Sequence, residues 1–327
     1  MIKEDIIEFC KSIGIDTVGF IKCRKFTELR EFYSERKAKN LQNEFEEDDI
    51  EKRINPFNYM EEGKTIISIA FPYLHDVEYL DNGFSVYTRG MDYHKVVKKY
   101  LGQICEYIES KGYKALPFVD SNFLPERYIA YLAKVGFVGK NNLIITEKYG
   151  SFVFLGEIIT DLEIETDERD YNELSSFKEC GECTNCYNNC PSKAINKYRK
   201  NSNICVSYFT QKKEIKDNEL KLLGGRVFGC DSCQVICPYN EKAEFSEIEE
   251  FYPYDFMNQD KTEFLANIGT KDFKESFLKT SCGWRGKNVL KRNAIIRLSE
   301  NKDISNIKSD SPYVKTYIDR LLNKNKI

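Results

Sequence analysis

Histidine is nearly absent from this chain: His75 and His94 are the only two among 327 residues. Histidine-rich metal chemistry is therefore poorly supplied. No Gly-x-Gly-x-x-Gly follows a strand-like segment, so a Rossmann nicotinamide site has no support. Apolar runs approaching the roughly 20 residues of a membrane span are missing. The opening MIKEDIIEFCKSIG sets Ile6, Ile7, Phe9 and Cys10 on one helical face with charges between them, unlike the unbroken apolar core of a secretory signal. A soluble, cytoplasmic protein is expected. Nor is there a large excess of one charge: the formal net charge is −3, which excludes a polycation built to coat nucleic acid. The distribution is uneven, however. From Gly283 to Ile327 eleven Lys and Arg face four Asp and Glu, a balance of +7, leaving −10 for the other 282 residues. A basic end on an acidic body suits a polyanionic partner, although a solvated lysine-rich helix pair would read the same way.

What the chain has instead is cysteine, twelve in all. One run is Cys180-x2-Cys183-x2-Cys186-x3-Cys190-Pro191, and Cys230-x2-Cys233-x3-Cys237-Pro238 repeats it without the first member. In a reducing compartment such clusters are metal or redox ligands before they are disulfides. In two-cluster ferredoxins the first three thiolates of a run hold one 4Fe–4S cluster and the fourth, before proline, crosses to the other. That rule assigns Cys180, Cys183, Cys186 and Cys237 to one cluster. The second takes Cys190, Cys230 and Cys233, with Cys205 from NICVSYFT completing the set. Paired zinc sites are the competing reading, but zinc modules present separated CxxC pairs. Cys10, Cys23, Cys105 and Cys282 fall outside the set and suit buried apolar positions.

Along the chain, TIISIAFPYL (65–74) reads as a buried strand, 92–112 as a helix ending at Lys-Gly, ALPFVD (115–120) as a short strand, and the segment after Pro125 as a helix. Residues 141–160 read as strand, turn and strand. The interleaving implies an α/β or α+β layer domain over 1–170. A cysteine-rich module over 171–245 and a helical region over 246–327 follow. Clusters of this kind move single electrons and need only about 60 residues, so the rest of the chain must use them. On composition and spacing alone the acceptor is unknown.

Further motifs carry a resemblance. VDSNFLPERYIAYLAKVGFVGKNNLIIT (119–146) with GSFVFLGEIITDL (150–162) is similar to the central block of epoxyqueuosine reductases. DIEKRINP (49–56), RGMDYHKV (89–96), CVSYFTQ (205–211), GCDSCQVICPYN (229–240) and CGWRGKNVLKRNA (282–294) match further blocks of that family in the same order. The resemblance implies an α+β protein with a nitroreductase-like cobalamin-binding domain, a ferredoxin-like two-cluster domain and a short HEAT-like helical tail. It implies reduction of the epoxide of epoxyqueuosine at the tRNA wobble position, using cobalamin reduced through the clusters, with a flavodoxin or ferredoxin as electron donor and a monomeric chain. The family's proton donor is the Asp of the VDS block, Asp120 here. A free Asp titrates at about 3.9, so a donor at neutral pH is expected to be raised by desolvation. The plainer role for Asp120, Ser121 or Asn122 is a helix cap.

The resemblance also places Arg53, Arg127 and Lys140 near the corrin and its tail, where structural ion pairs are the alternative. Ser207, Gln211 and Asp231 are expected to face the cofactor, and Glu126 to pair locally with Arg127 or a neighbour. Tyr93 and His94, at a helix start, suit either a polar surface or a substrate contact. Lys213, Trp284, Arg285, Lys291, Arg292 and Asn293, with Lys212 and Lys287 beside them, are expected to form the tRNA surface. About 35 residues follow the last block, enough for roughly two helices where many relatives continue into several repeats. A reductive dehalogenase, which also combines cobalamin with two clusters, is the rival enzyme class; the basic tail and the lack of a twin-arginine leader favour the RNA reading. A non-catalytic electron carrier is disfavoured by the size of the first domain.

Overall fold

The computed structural model describes residues 2–120, 122–198 and 200–324. Ser121, offered above as a helix cap, lies outside them. The strands are β1 (Val18–Lys22), β2 (Thr65–Pro72), β3 (Ala115–Phe118), β4 (Phe137–Val138), β5 (Ile144–Ile145) and β6 (Val153–Thr160). The first half carries helices α1 (Ile2–Ser12), α2 (Arg30–Ala38), α3 (Ile50–Ile54), α4 (Tyr93–Ser110) and α5 (Glu126–Leu132). The second carries α6 (Asn185–Asn189), α7 (Val206–Gln211), α8 (Asp217–Leu222), α9 (Thr262–Asn267), α10 (Thr270–Glu275), α11 (Lys287–Ser299) and α12 (Pro312–Lys324).

An antiparallel sheet ordered β1-β2-β6-β3 organises the first half. All eight residues of β2 are buried because helices cover both faces. Ile67, Ile69, Phe71 and Ile158 point to one side, against Val97, Leu101, Ile104 and Ile108 of α4 and Ile6 and Cys10 of α1. Ile66, Ala70 and Ile159 point to the other, against Ile129, Ala130 and Leu132 of α5. Removing one such side chain from water is worth about 1.5–3 kcal/mol, so this sandwich supplies much of the local stability. Gly19 of β1 lets α5 close onto the sheet, since a Cβ there would sit 2.0 Å from the Ala133 carbonyl oxygen. Helix α4 starts where Asp92 accepts from the His94 N–H and stops at Gly112, whose φ of +89° suits glycine.

The boundary expected at 245 falls inside a packed unit. Val206, Phe209 and Leu220 from α7 and α8 share a core with Leu265, Phe273, Phe277, Leu290, Ile295 and Tyr317. Meanwhile Ile248 and Phe251 pack onto the sheet domain. Helix α11 is the axis of this second unit and is buried nearly all round. Among the described residues a single helix, α12, follows it. No described helix is long and apolar enough to cross a membrane.

Candidate active site between the sheet domain and the cysteine loops

The strand β3 delivers its chain to a tight turn in which Asp120 adopts φ +46°, a region open to few residues other than Gly, Asn and Asp. The Asp120 N–H donates to Glu126 Oε1 at 2.8 Å, Asn122 Nδ2 to the same oxygen at 2.9 Å, and the Phe123 N–H to Tyr59 Oη at 2.9 Å. Glu126 thus clamps this turn, its local partners being the neighbouring Asp120 and Asn122, with no ion pair to Arg127 among the described residues.

Two neighbours on α4 hold the Asp120 carboxylate. Tyr93 Oη donates to Oδ2 at 2.6 Å and His94 Nε2 lies 3.0 Å from the same atom. His94 Nδ1 faces Asp92 Oδ1 at 2.8 Å, which orients the ring, and the Tyr93 ring stacks on Phe154 at 4.3 Å. The electrostatics reverse the sign expected for Asp120. Burial alone would raise its pKa, but the hydrogen bonds from His94 and Tyr93 and the His94 charge outweigh it and hold the carboxyl below its ordinary value. For His94, burial alone would lower the pKa; the hydrogen bonds to Asp120 and Asp92 overcome it and push the ring up to about 9. At neutral pH the proton belongs to His94, hydrogen-bonded to Asp120, with the neutral Tyr93 phenol beside them.

Asp120 and Arg127 lie deep among protein groups while their side chains stay open to solvent, with 56% of the Asp120 side chain exposed. Cations crowd beside them. Arg36, Arg53 and Arg127 share the carboxylate of Glu46, which Arg36 reaches at 3.0 Å and Arg53 at 3.5 Å. Lys200 lies within electrostatic reach of Arg36 and Arg127 on one side and of Cys180 and Cys186 on the other. Arg53 also lies over the Tyr33 ring at 3.9 Å, and Arg127 donates to the Asn142 carbonyl at 2.8 Å. Burial and the Arg127 charge push Lys200 down to about 8. The flat Tyr93–Phe154 stack and the guanidinium groups gathered around Glu46 are side-chain types that suit a large flat cofactor bearing amides and a phosphate.

The cysteines gather in two places. Cys180, Cys183, Cys186 and Cys237 line one cleft, backed by Phe137 and Ile145 of the β4–β5 hairpin. Cys190, Cys205, Cys230 and Cys233 interact electrostatically as a second group. The second run is sewn to the sheet domain. Gln234 Nε2 donates to Tyr73 Oη and the Ser151 carbonyl, each at 2.8 Å, and Asn240 Oδ1 accepts from the Ser151 N–H at 2.7 Å. Lys140 serves the first cysteine group: its Nζ donates to the Gly181 and Cys183 carbonyls at 2.5 and 3.0 Å. Asp231 accepts from Val86 N at 2.8 Å and from the Ser85 hydroxyl, locking the second run to the segment before α4. Within α7, Gln211 Nε2 donates to the Ser207 carbonyl at 3.2 Å.

In the basic tail the expected surface divides. Trp284 is 53% exposed and meets Phe45 edge-on at 5.4 Å, while Arg285 lies over both rings. Lys213 is exposed. Arg292 and Asn293 are corrections, because both are fully buried. Arg292 Nη1 donates to the Lys212 and Lys213 carbonyls at 2.8 Å each and to Tyr313 Oη at 2.6 Å, and Asn293 Nδ2 to the Thr210 and Val227 carbonyls at 2.7 Å each. They staple α11 to α7. Lys291 is buried too, with Nζ 3.3 Å from the Lys308 carbonyl. Lys212 pairs with Glu219, and Lys287 with Thr270. Sequence reasoning missed Phe45, which lies in an irregular loop without a motif, and Glu157, a carboxyl inside β6.

Comparison with known proteins agrees with this geometry. The family model described as Epoxyqueuosine reductase QueG matches residues 53–121, and a 4Fe-4S double cluster binding domain matches residues 179–240. The chain therefore carries two 4Fe–4S clusters. An epoxyqueuosine reductase of Bacillus subtilis is 34% identical over 316 residues, spanning 93% of this chain and 80% of that protein. A crystal structure of epoxyqueuosine reductase with an epoxyqueuosine-modified tRNA-Tyr stem loop superposes with a TM-score of 0.89 at 32% identity, covering 99% of this chain and 90% of that one. A Bacillus subtilis epoxyqueuosine reductase solved with its catalytic aspartate loop swung out of the active site gives 0.87 at 31% identity, over 99% and 90%. Matching at this identity over nearly the whole length, this chain belongs to the epoxyqueuosine reductase family.

Proposed function

We propose that the chain reduces epoxyqueuosine in the tRNA anticodon loop to queuosine, with Asp120 and His94 handling the protons. The observation that carries this is one carboxylate, Asp120, held by Tyr93 and His94, with Arg127 near it and Lys200 within electrostatic reach of both Arg127 and the first cysteine group. Opening an epoxide to an alkene and expelling its oxygen as water consumes two electrons and two protons. Asp120 would pass the His94 proton to that oxygen, so a low intrinsic pKa for Asp120 is no obstacle: the pair is the acid. Tyr93 Oη, kept neutral by burial and the Asp120 charge, holds the carboxylate in place.

Arg53, Arg127 and Lys200, with the Tyr93–Phe154 stack, would hold cobalamin. Bound there and reduced through the two clusters, it supplies the electrons to the epoxide carbon. The cysteine quartets Cys180, Cys183, Cys186, Cys237 and Cys190, Cys205, Cys230, Cys233 would each ligate one cluster. Trp284, Phe45, Arg285 and Lys213 would receive the RNA loop, the aromatics stacking on unpaired bases. A flavodoxin or ferredoxin would provide electrons to a cytoplasmic monomer. Support for a mobile Asp120 turn comes from the swung-out aspartate loop of the Bacillus subtilis relative.

The test is anaerobic incubation of the reconstituted holoenzyme with reductant and an epoxyqueuosine-bearing tRNA, read by mass spectrometry of the nucleosides. Queuosine is the expected product, and its absence rejects the function. The Asp120→Asn variant should keep its iron and corrinoid and lose most turnover, about a hundredfold or more; full activity removes Asp120 from the reaction.

A further inference from the structure

Behind Asp120 two more carboxyls lead into the sheet. Glu126 Oε1 holds the Asp120 N–H, and Glu126 itself opens α5. Helix α5 packs on the sheet face formed by Ile66, Ala70 and Ile159. Glu157 belongs to that same face, two residues from Ile159 in β6 and directly opposite Ser68 of β2 and Phe118 of β3. It is fully buried, and neither of its oxygens has a hydrogen-bond partner in the described structure; Ser68 Oγ beside it has none either. A carboxylate cannot persist there without a countercharge, so Glu157 is a neutral acid. The groups facing Glu126 are Asp120 and Tyr93 on its open side, Glu157 from the sheet, Asn122 on the turn and Arg127 on its own helix.

Epoxide reduction consumes two protons, and His94 carries one. We propose that Glu126 holds the other: lying beside Asp120, it stores a proton that passes by way of solvent to the Asp120 carboxylate once the first has gone to substrate, with Glu157 beneath it as a neutral acid that leaves no charge to compete. This deepens the proposed function and rests on it. The sequence balances. Asp120, reprotonated from His94, gives one proton to the epoxide oxygen as two electrons arrive from the reduced corrinoid; Glu126 gives the second, through Asp120, to that oxygen as it leaves as water. Bulk solvent then restores both protons. The proposal agrees with the titration of Glu126, which burial first and the Asp120 charge second push up to about 7, within reach of both states at working pH.

The geometry offers a selective test. In Glu126→Gln the amide oxygen still accepts from the Asp120 N–H and Asn122, so the turn is kept while the proton is lost. Expected of this variant, as loaded holoenzyme with the modified stem loop, are unchanged iron and corrinoid content and an RNA affinity within about twofold of wild type. Its kcat should fall about hundredfold with little change in KM. The wild-type fall in kcat as pH rises through about 7 should disappear, as should the pH-dependent carboxylic C=O signal in infrared difference spectra. Glu126→Asp, which can still carry a proton, should recover part of the rate. Wild-type kcat in Glu126→Gln, or a pH limb and infrared signal that survive it, overturns the proposal. So does loss of RNA or corrinoid binding in that variant, which would make Glu126 a structural clamp. Wild-type enzyme that leaves the stem loop unreduced overturns the function itself, whereas a competent wild type with an indifferent Glu126→Gln overturns only the proton store.

Discussion

Replacing His94 by glutamine removes a cation while keeping a side chain that can still reach Asp120. The ring is moved from its ordinary 6.5 to about 9 by Asp120 and Asp92. At about 1.36 kcal/mol per pKa unit this sets a ceiling of about 3 kcal/mol on what the charged ring contributes to the fold. The Asp120 side chain is 56% exposed, so solvent screening brings the expectation to about 1–2 kcal/mol. The sign follows from linkage: a pKa raised on folding gives stability that is complete below 6.5 and lost as pH climbs through about 9. Wild type should exceed His94→Gln in stability at neutral pH, and the two should converge above about 9. The chain makes the assay simple, since its other imidazole, His75, is pushed down by burial. Two labelled histidine side chains followed by NMR against pH should therefore titrate on opposite sides of 6.5, with His75→Gln assigning them. Turnover of His94→Gln should drop about a hundredfold. A His94 that titrates at or below its ordinary value refutes the charged pair and with it the acid assigned to the site.

The remaining predictions concern the clusters and the tail. Cys183→Ser and Cys233→Ser should each lower iron from about eight to about four atoms per chain, with the other cluster's spectrum retained; a variant that loses both signals would show the quartets to be interdependent. Arg292→Met should cost about 3–5 kcal/mol of stability, because it takes the guanidinium donor from the Phe209 and Lys212 carbonyls and breaks its bonds to the Thr210 and Lys213 carbonyls, which keep Asn293, Tyr313 and Tyr317 as donors; a change seen in RNA affinity alone, with an unshifted melting temperature, would return Arg292 to the surface. Phe45→Ala and Trp284→Ala should each weaken stem-loop binding by about 1–3 kcal/mol in a fluorescence titration. Because the rings touch, the double variant should lose less than the sum, and strict additivity would show that the rings act separately.

Local patterns were legible in the sequence wherever one period or one chemistry dominated. The run 65–74 forms β2, the 92–112 pattern forms α4, and the two Cys-Pro runs, joined by Cys205, gather into two groups of four. The region 246–327 was legible as helical, but nothing in it marked α11 as buried. Arg292 and Asn293 look like surface in any pattern of charge, and only the carbonyls in and just after α7, arriving from 80 residues away, make them interior. The sign of the Asp120 shift was hidden for a similar reason: desolvation can be guessed from a motif, whereas the hydrogen bonds that overcome it come from a separate helix. Phe45 and Glu157 carried no signal at all, one lying in an irregular loop and the other reading as a polar break in a strand.

The inward turn of the tail's cations bears on how the protein lets go of nucleic acid. If all eleven basic residues from Gly283 onward met phosphates, counterion release would make affinity fall with salt at a logarithmic slope of roughly 8. With Lys291 and Arg292 internal, Arg297 bonded to the Gly225 and Asp81 carbonyls, and Lys302 and Arg320 paired with Glu263 and Asp217, at most six of the eleven remain for the backbone, and the slope should be roughly 4 or less. Recognition would then lean more on stacking and shape, so that rising ionic strength loosens a modified anticodon loop far less than it would a grip made through every cation.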